Sequence, residues 1–74
     1  MTLTQLKYVL AIAKAGTINA AAKQLFISQP TLSSAVKELE AELGISLFNR
    51  TSKGVEPTAD GEEFLSYARQ VVMQ

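Results

Sequence analysis

Apolar residues recur along the first part of the chain at spacings of three and four, which is the period of an α-helix. Residues 3 to 15 carry this pattern, and Gly16 follows it as a common helix stop. Thr2 precedes the pattern and is suited to cap the helix. A shorter pattern over about 18 to 25 contains three consecutive alanines, which allow another helix to approach closely. Two helices in contact are therefore predicted.

The stretch "ISQPTLSSAVKELEAEL", residues 27 to 43, predicts a third helix. Ser28 stands at the N-cap position, and Pro30 falls in the first turn, where its missing N–H costs nothing. Gly44 follows the last apolar position and ends the helix. The apolar positions share one narrow stripe that must face a core. They are Leu32, Val36, Leu39 and Leu43.

After the third helix, "ISLFNR" and "VEPT" predict two short strands joined by the turn "TSKG", a hairpin over about 46 to 57. Pro57 lacks an N–H, so the second strand is expected to be short or at an edge. Thr58 is placed to cap a final helix, whose acidic first turn suits the helix dipole. That helix is still apolar near Gln74, and we expect the chain to be part of something longer. The predicted fold class is mainly α, a winged helix-turn-helix of three helices and a two-stranded wing, followed by a fourth helix.

The formal net charge is zero and the pI is near 6.2, which by themselves argue against nucleic acid as a partner. The distribution along the chain differs from the total. Residues 1 to 37 carry four lysines and no acid, whereas residues 38 to 74 carry a net charge of −4. The neutral total therefore hides a positively charged first half.

The first half of the third helix has small, uncharged or positive side chains opposite its apolar stripe. A B-DNA major groove is about 12 Å wide and admits one α-helix, whose N-terminal residues read base edges. Gln29 is suited to pair with adenine and Pro30 to touch a thymine methyl group. Ser33, Ser34 and Lys37 are suited to contact bases or phosphate. The alternative is an ordinary amphipathic helix with a serine-rich exposed side.

The second and third helices, joined by "FIS", match a helix-turn-helix over about 18 to 37, and the hairpin makes it winged. In that geometry the hairpin tip lies against the DNA backbone or the minor groove. The tip carries Arg50, Thr51, Ser52 and Lys53, although a solvated turn would have the same composition. Thr17 and Asn19 would lie at the start of the second helix, where they could bind phosphate. Capping alone explains Thr17 equally well.

Other function classes find little support in the composition. The chain has no cysteine and no histidine, which disfavours disulfides, thiolate chemistry and zinc sites and fits a reducing cytoplasm. The sequence has no facing pair of carboxylates of the kind that would indicate an enzyme. The acids Glu38, Glu40 and Glu42 are interpreted as a solvated side of the third helix. The longest apolar run, "VLAI", is far too short to span a membrane. A winged-helix protein-interaction module remains the rival interpretation, favoured by the zero net charge.

The stretch "AAAKQLFISQPTLSSAVKELEAELGISLFNR", followed by "GVEPTADG", resembles the N-terminal domain of LysR-type transcriptional regulators over nearly the whole chain. The most specific matches are Ala21, Ala22, Leu25, Ser28, Gln29, Pro30, Ser33, Leu39, Glu40, Leu43, Gly44, Leu47, Phe48, Arg50, Thr58 and Gly61. The resemblance implies a bacterial regulator that binds double-stranded promoter DNA as a dimer or tetramer. Residues 1 to 57 would form the DNA-binding domain and residues 58 to 74 the start of a dimerising linker helix. A C-terminal domain that binds a small-molecule effector would lie outside this chain, and no cofactor is expected within it.

The resemblance also implies base contacts from the start of the third helix and a minor-groove contact from Lys53. Together with the residue-level argument, it gives a predicted DNA-binding set and a predicted dimer interface. The DNA-binding set is Thr17, Asn19, Ser28, Gln29, Pro30, Thr31, Ser33, Ser34, Lys37, Arg50, Thr51 and Lys53. The dimer interface is Phe64, Leu65, Ala68, Val71 and Val72. The chain departs from the family pattern at Ser34, Lys53 and Pro57, and lysine lacks the guanidinium fork of the arginine common at position 53.

Overall fold

The computed structural model describes residues 1–73 and has the predicted fold, mainly helical with a two-stranded antiparallel wing. The elements are α1 (Leu3–Ala15), α2 (Ile18–Leu25), α3 (Gln29–Leu43), β1 (Phe48–Thr51), β2 (Gly54–Pro57) and α4 (Ala59–Met73). The last residue of the predicted linker helix, Gln74, lies outside the described residues.

Side-chain caps set the ends of the first helix where the sequence predicts them. The Gln5 N–H donates to the Thr2 hydroxyl oxygen at 3.1 Å, and the Thr2 N–H donates to Oε1 of Gln5 at 2.9 Å. This reciprocal capping box satisfies two N–H groups that the helix leaves without partners. Gly16 ends α1 in the left-handed conformation, with φ 83°.

The turn between α2 and α3 has a residue in an unusual conformation that the sequence pattern does not reveal. Phe26 ends α2 with φ 59° and ψ 39°, the only positive φ at a residue other than glycine among residues 1–73. The next N–H, of Ile27, donates to the Ala22 carbonyl at 3.1 Å, which turns the chain sharply into α3. The Phe26 side chain is 94% exposed, so burial of the ring does little to offset the cost of this backbone conformation.

Replacement of Phe26 by asparagine should stabilise the domain. Asparagine adopts the left-handed conformation at lower cost than phenylalanine, and an almost fully exposed ring has little packing to lose. We expect a gain of about 0.5 kcal/mol in the free energy of unfolding, or about 2 to 4 °C in Tm, in urea or thermal unfolding. Phe26→Ala is the matched control, because it removes the ring without easing the backbone and should give no gain. An equal decrease in the free energy of unfolding in both variants would show that the phenylalanine ring itself stabilises the domain.

One hydrophobic core joins the helices and the base of the wing. The two buried alanines of α2, Ala21 and Ala22, let this helix lie close to its neighbours, as their small size predicts. The core cluster consists of Val9, Ile12, Ala21, Ala22, Leu32, Val36, Leu39, Leu47 and Leu65. It therefore includes the predicted stripe of α3 up to Leu39, whereas Leu43 is half-buried at its edge.

The wing is a tight hairpin in which Phe48 pairs with Pro57 and Thr51 with Gly54. The first strand begins at Phe48 rather than near residue 46, because the Leu47 N–H bonds outside the hairpin, to Oε2 of Glu40 at 2.6 Å. The Leu47 carbonyl accepts from the N–H of Thr58, the residue opposite it, at 3.0 Å. The second strand is short and lies at an edge, as Pro57 predicts.

The final helix begins at its predicted cap, Thr58, and contacts the loop before β1 that contains Ser46 and Leu47. The Thr58 hydroxyl accepts from the Gly61 N–H at 2.8 Å and donates to the Ser46 carbonyl at 2.6 Å. Gly61 is buried where α4 passes the Leu47 carbonyl. Leu65 and Ala68 are fully buried, so α4 completes the core that the other helices form.

Candidate nucleic-acid interface

The first turns of α3 have one side in the core and the opposite side in solvent. Leu32, Val36 and Leu39 are buried, which leaves the opposite side of the helix to solvent. The exposed residues of that side within the predicted set are Gln29, Pro30, Thr31, Ser34 and Lys37, and Ser33 is half-buried. The burial pattern therefore agrees with the predicted orientation of this helix.

Ser28 and Thr31 form the cap that starts this helix. The Ser28 hydroxyl oxygen accepts from the Thr31 N–H at 3.2 Å, and its proton is donated to the Thr31 hydroxyl at 2.7 Å. Ser28 is therefore a capping residue, as its position predicts, and both hydroxyls bond within the turn. These bonds fix the start of α3, whose first turn contains Gln29 and Pro30, and DNA contacts from Ser28 and Thr31 stay a prediction.

One edge of α3 faces the wing across a small cavity of about 120 Å³. Ser33 and Lys37 of α3 border it together with Arg50 of β1. The predicted major-groove helix and the predicted wing therefore share a boundary at these three side chains. Glu40 also borders this cavity, one turn beyond Lys37, and its Oε2 accepts from the Leu47 N–H.

The bond of Glu40 corrects its interpretation as part of a solvated acidic side. Its carboxylate is half-buried and ties the end of α3 to the loop before the wing. No periodic signal identifies a carboxylate that bonds a backbone N–H seven residues later. The one hint in the sequence is that position 40 is among those matched to LysR-type regulators.

The opposite edge of α3 ends in an acid. Pro30, Thr31, Ser34 and Glu38 line one shallow groove there. Glu38 follows Ser34 by one helical turn, so the acid-free surface on this edge spans only the first turns of the helix. The part of this edge that is free of acids therefore lies near the N-terminus of α3, where Pro30 and Ser34 are found.

A second cleft brings five of the predicted DNA contacts together from three elements. It lies between the start of α2, the start of α3 and the wing, with a volume of about 220 Å³. The five residues are Thr17, Asn19, Gln29, Arg50 and Thr51. They belong to separate elements in the sequence, and only the packing shows that they surround one opening.

Thr17 is the N-cap of α2. Its hydroxyl oxygen accepts from the Ala20 N–H at 3.0 Å, and the residue is half-buried. The predicted capping role of Thr17 is therefore confirmed, and its contact with phosphate stays a prediction. Asn19 is exposed beside it.

The tip of the wing is exposed and cationic. Ser52 and Lys53 form the turn, and the Lys53 N–H donates to the Thr51 hydroxyl at 3.2 Å. Arg50 lies on β1 opposite Val55 and is exposed. Among residues 1–73 no carboxylate forms an ion pair with Lys37, Arg50 or Lys53. All three cations therefore remain available to an anionic partner.

Two residues of the predicted dimer interface lie in the core instead. Leu65 and Ala68 have no exposed surface, because α4 turns this side toward α1 and the base of the wing. The predicted interface is wrong for this pair. The exposed apolar residues of α4 are Val71, which is 36% exposed, and Tyr67 and Met73, which are 51% and 85% exposed and were not predicted. Val72 of the predicted interface is half-buried. The Phe64 ring is half-buried beside Tyr67, with a centroid distance of 6.1 Å.

Two properties of residues 1–73 bear on other kinds of site. No helix in this range is long and apolar enough to cross a membrane. The same range contains no group of three or more carboxylate, imidazole or thiol side chains placed to hold a metal ion.

Comparison with known proteins decides the family. Residues 3–62 match the family described as bacterial regulatory helix-turn-helix protein, lysR family. The chain belongs to the LysR family. The match spans the helix-turn-helix and the wing, and it ends just after the cap of α4.

Curated relatives of this LysR-family chain are transcriptional regulators. It is 47% identical over 72 residues to the regulator TfdT of Cupriavidus pinatubonensis. The aligned residues make up 97% of this chain and 32% of TfdT. It is 43% identical over 74 residues to AlsR of Bacillus subtilis and spans 24% of that protein. The chain thus covers 24% to 32% of the length of these relatives.

Solved structures of LysR regulators share the fold of this chain closely. In the crystal structure of the CbnR_DBD-DNA complex, the matching protein is 45% identical with a TM-score of 0.94. The match covers 99% of this chain and 84% of that one. The BenM_DBD/benA site 1 DNA complex gives a TM-score of 0.94 at 38% identity, covering 99% and 82% of the two chains.

Proposed function

We propose that this LysR-family domain binds promoter DNA in a sequence-specific manner, with α3 in the major groove and the wing at the minor groove. The observation that carries the proposal is the convergence of the α2 start, the α3 start and the wing around one cleft. The cations beside that cleft form no ion pair among the described residues. Similarity to CbnR_DBD and BenM_DBD, both crystallised as DNA complexes, supports the same assignment.

Within this proposal, base recognition belongs to the first turns of α3. Gln29 offers a bidentate amide and Pro30 an apolar surface, while Ser33 and Ser34 offer short hydroxyls. Glu38 limits this surface along one edge. Because these side chains are short, DNA shape contributes part of the specificity.

Backbone contacts come from the cations and from the start of α2. Lys37, Arg50 and Lys53 neutralise phosphates, and Asn19 adds a hydrogen bond beside the free N–H groups of α2. These contacts set position and affinity, and sequence preference comes from α3.

Lys37→Ala and Lys53→Ala should each weaken binding across all sequences and reduce its salt dependence. Each lost phosphate contact lowers the slope of log K against log salt by about 0.9. Fluorescence anisotropy with a duplex at several salt concentrations measures both quantities. Lys7→Ala is a matched control, because Lys7 is an exposed lysine of α1 outside the two clefts. An unchanged slope in both test variants would place the DNA elsewhere.

Selection from genomic DNA tests the function itself. Fragments retained by the domain at moderate salt are sequenced, and a sequence-specific binder enriches fragments that share a motif. A winged-helix module that binds only proteins, the rival interpretation, gives no enrichment over input DNA. Substitution of Gln29 should then change the enriched motif.

We further propose that the domain works within a longer cytoplasmic bacterial regulator without catalytic activity. The curated relatives are longer regulators, and full-length CbnR and BenM have been solved. Such a protein would be a dimer or tetramer, joined through the exposed side of α4 at Phe64, Tyr67 and Val71. Its missing C-terminal part would bind a small-molecule effector.

A further inference from the structure

The base of the wing is held rigidly by the loop before β1. The Leu47 side chain is fully buried, its N–H donates to Glu40, and its carbonyl accepts from the Thr58 N–H. The Thr58 hydroxyl also donates to the Ser46 carbonyl. Bonds from both α3 and the start of α4 therefore restrain the point at which the hairpin leaves the core.

Near the tip, the wing is docked a second time, on the turn between α1 and α2. The Val55 N–H donates to the Gly16 carbonyl at 2.9 Å. Gly54 approaches the same carbonyl so closely that an added Cβ would lie 2.2 Å from its oxygen and 2.8 Å from Cγ2 of Thr17. Gly54 also has φ +141°, a conformation that side chains rarely adopt. Only glycine permits this contact without displacement.

The two sides of this contact carry different parts of the proposed DNA surface. Lys53, at the wing tip, directly precedes Gly54. Thr17, on the other side, starts α2 and borders the cleft that also holds Asn19 and Arg50. The Gly54 contact therefore sets how far the wing tip lies from the helix-turn-helix.

We propose that Gly54 is a positioning residue for DNA binding, which locks the wing to the start of α2 so that Lys53 and the recognition helix engage DNA together. This inference rests on the proposed function. An alanine at this position must push the wing away from the Gly16 carbonyl, because the obstructing atoms are backbone and a short side chain. The three-helix core does not depend on this contact and is retained.

The test is a double-mutant cycle between Gly54→Ala and Lys53→Ala, measured by anisotropy on a duplex from the genomic selection. In the wild type, Lys53→Ala weakens binding by about tenfold, the size of a single charge-assisted contact. In the Gly54→Ala background the wing is already displaced, so Lys53→Ala should lower the DNA affinity by less than about twofold. Circular dichroism and thermal unfolding confirm that each variant is folded at the temperature of the titration.

Gly44→Ala is the matched control for backbone strain. Gly44 also has a positive φ, of +71°, an added Cβ there meets nothing within 4 Å, and the residue lies outside the contact between the wing and Gly16. Lys53→Ala should therefore keep its full effect in the Gly44→Ala background. If Gly54→Ala fails to fold, Val55→Pro replaces it in the cycle, because it removes the N–H donated to Gly16 without adding a Cβ at position 54.

Two results would overturn the inference. If Lys53→Ala lowers DNA affinity by the same factor in the Gly54→Ala background as in the wild type, the wing has kept its position. Wild-type binding that is insensitive to Lys53→Ala would show that the wing tip does not touch DNA. A wild-type domain that selects no DNA motif would instead reject the proposed function, so the two failures are distinguishable.

Discussion

Leu65→Ala should unfold most of the domain rather than disrupt only its self-association. Leu65 is fully buried in the core cluster, and loss of a buried leucine costs about 2 to 5 kcal/mol through lost transfer free energy and the cavity left behind. A core of this size supplies only about 3 to 5 kcal/mol in total. Far-UV circular dichroism and urea unfolding measure the loss.

Val71→Ala is the matched control on the same helix. Val71 is 36% exposed on the side of α4 that faces solvent, and its truncation should change the free energy of unfolding by less than about 1 kcal/mol. Its effect should appear in the concentration dependence of sedimentation, if this side forms the dimer. A Leu65→Ala variant that stays folded and only loses dimer formation would return Leu65 to the interface.

Gly61→Ala should destabilise the domain although helix propensity predicts the opposite. Alanine is favoured over glycine within a helix by about 0.8 to 1 kcal/mol. At this position, however, the new Cβ would lie 2.0 Å from the Leu47 carbonyl oxygen and 2.9 Å from its carbon. The start of α4 must move away, which strains the packing by about 1 to 3 kcal/mol and weakens the bond from the Thr58 N–H. We expect a net loss of about 2 kcal/mol in urea unfolding.

Ser66→Ala separates propensity from packing in the same helix. Ser66 is exposed, so the substitution reports helix propensity alone and should be neutral or slightly stabilising. A Gly61→Ala variant that is more stable than the wild type would contradict the close approach of α4 to Leu47.

The elements were largely predictable because their signals are local. Thr2, Ser28 and Thr58 precede apolar stripes of helical period, and their side chains cap the helices as predicted. Gly16 and Gly44 end α1 and α3 in the left-handed conformation. Each of these signals depends on neighbours within one helical turn, so no knowledge of the fold is needed to interpret it.

The failures occurred where a residue's role depends on distant neighbours. Leu65 and Ala68 share a helical side with Val71 and Val72, and a sequence cannot tell which part of a broad apolar side meets the core of its own chain. Glu40 has the same local pattern as the exposed Glu38 and Glu42, yet it bonds the Leu47 N–H across a loop. Both cases turn on contacts between separate elements.

The four helices, the hairpin, the acid-free start of α3 and the resemblance to LysR-type regulators all follow from the order of residues along the chain. Periodicity, capping and charge order are properties of the chain that exist before it folds. Only the folded chain shows that Gly54 docks the wing beside one cleft, and that five predicted contacts surround this cleft: Thr17, Asn19, Gln29, Arg50 and Thr51. Such a cleft depends on how far apart packed elements lie, and that distance is fixed by side-chain volume and backbone contact in three dimensions.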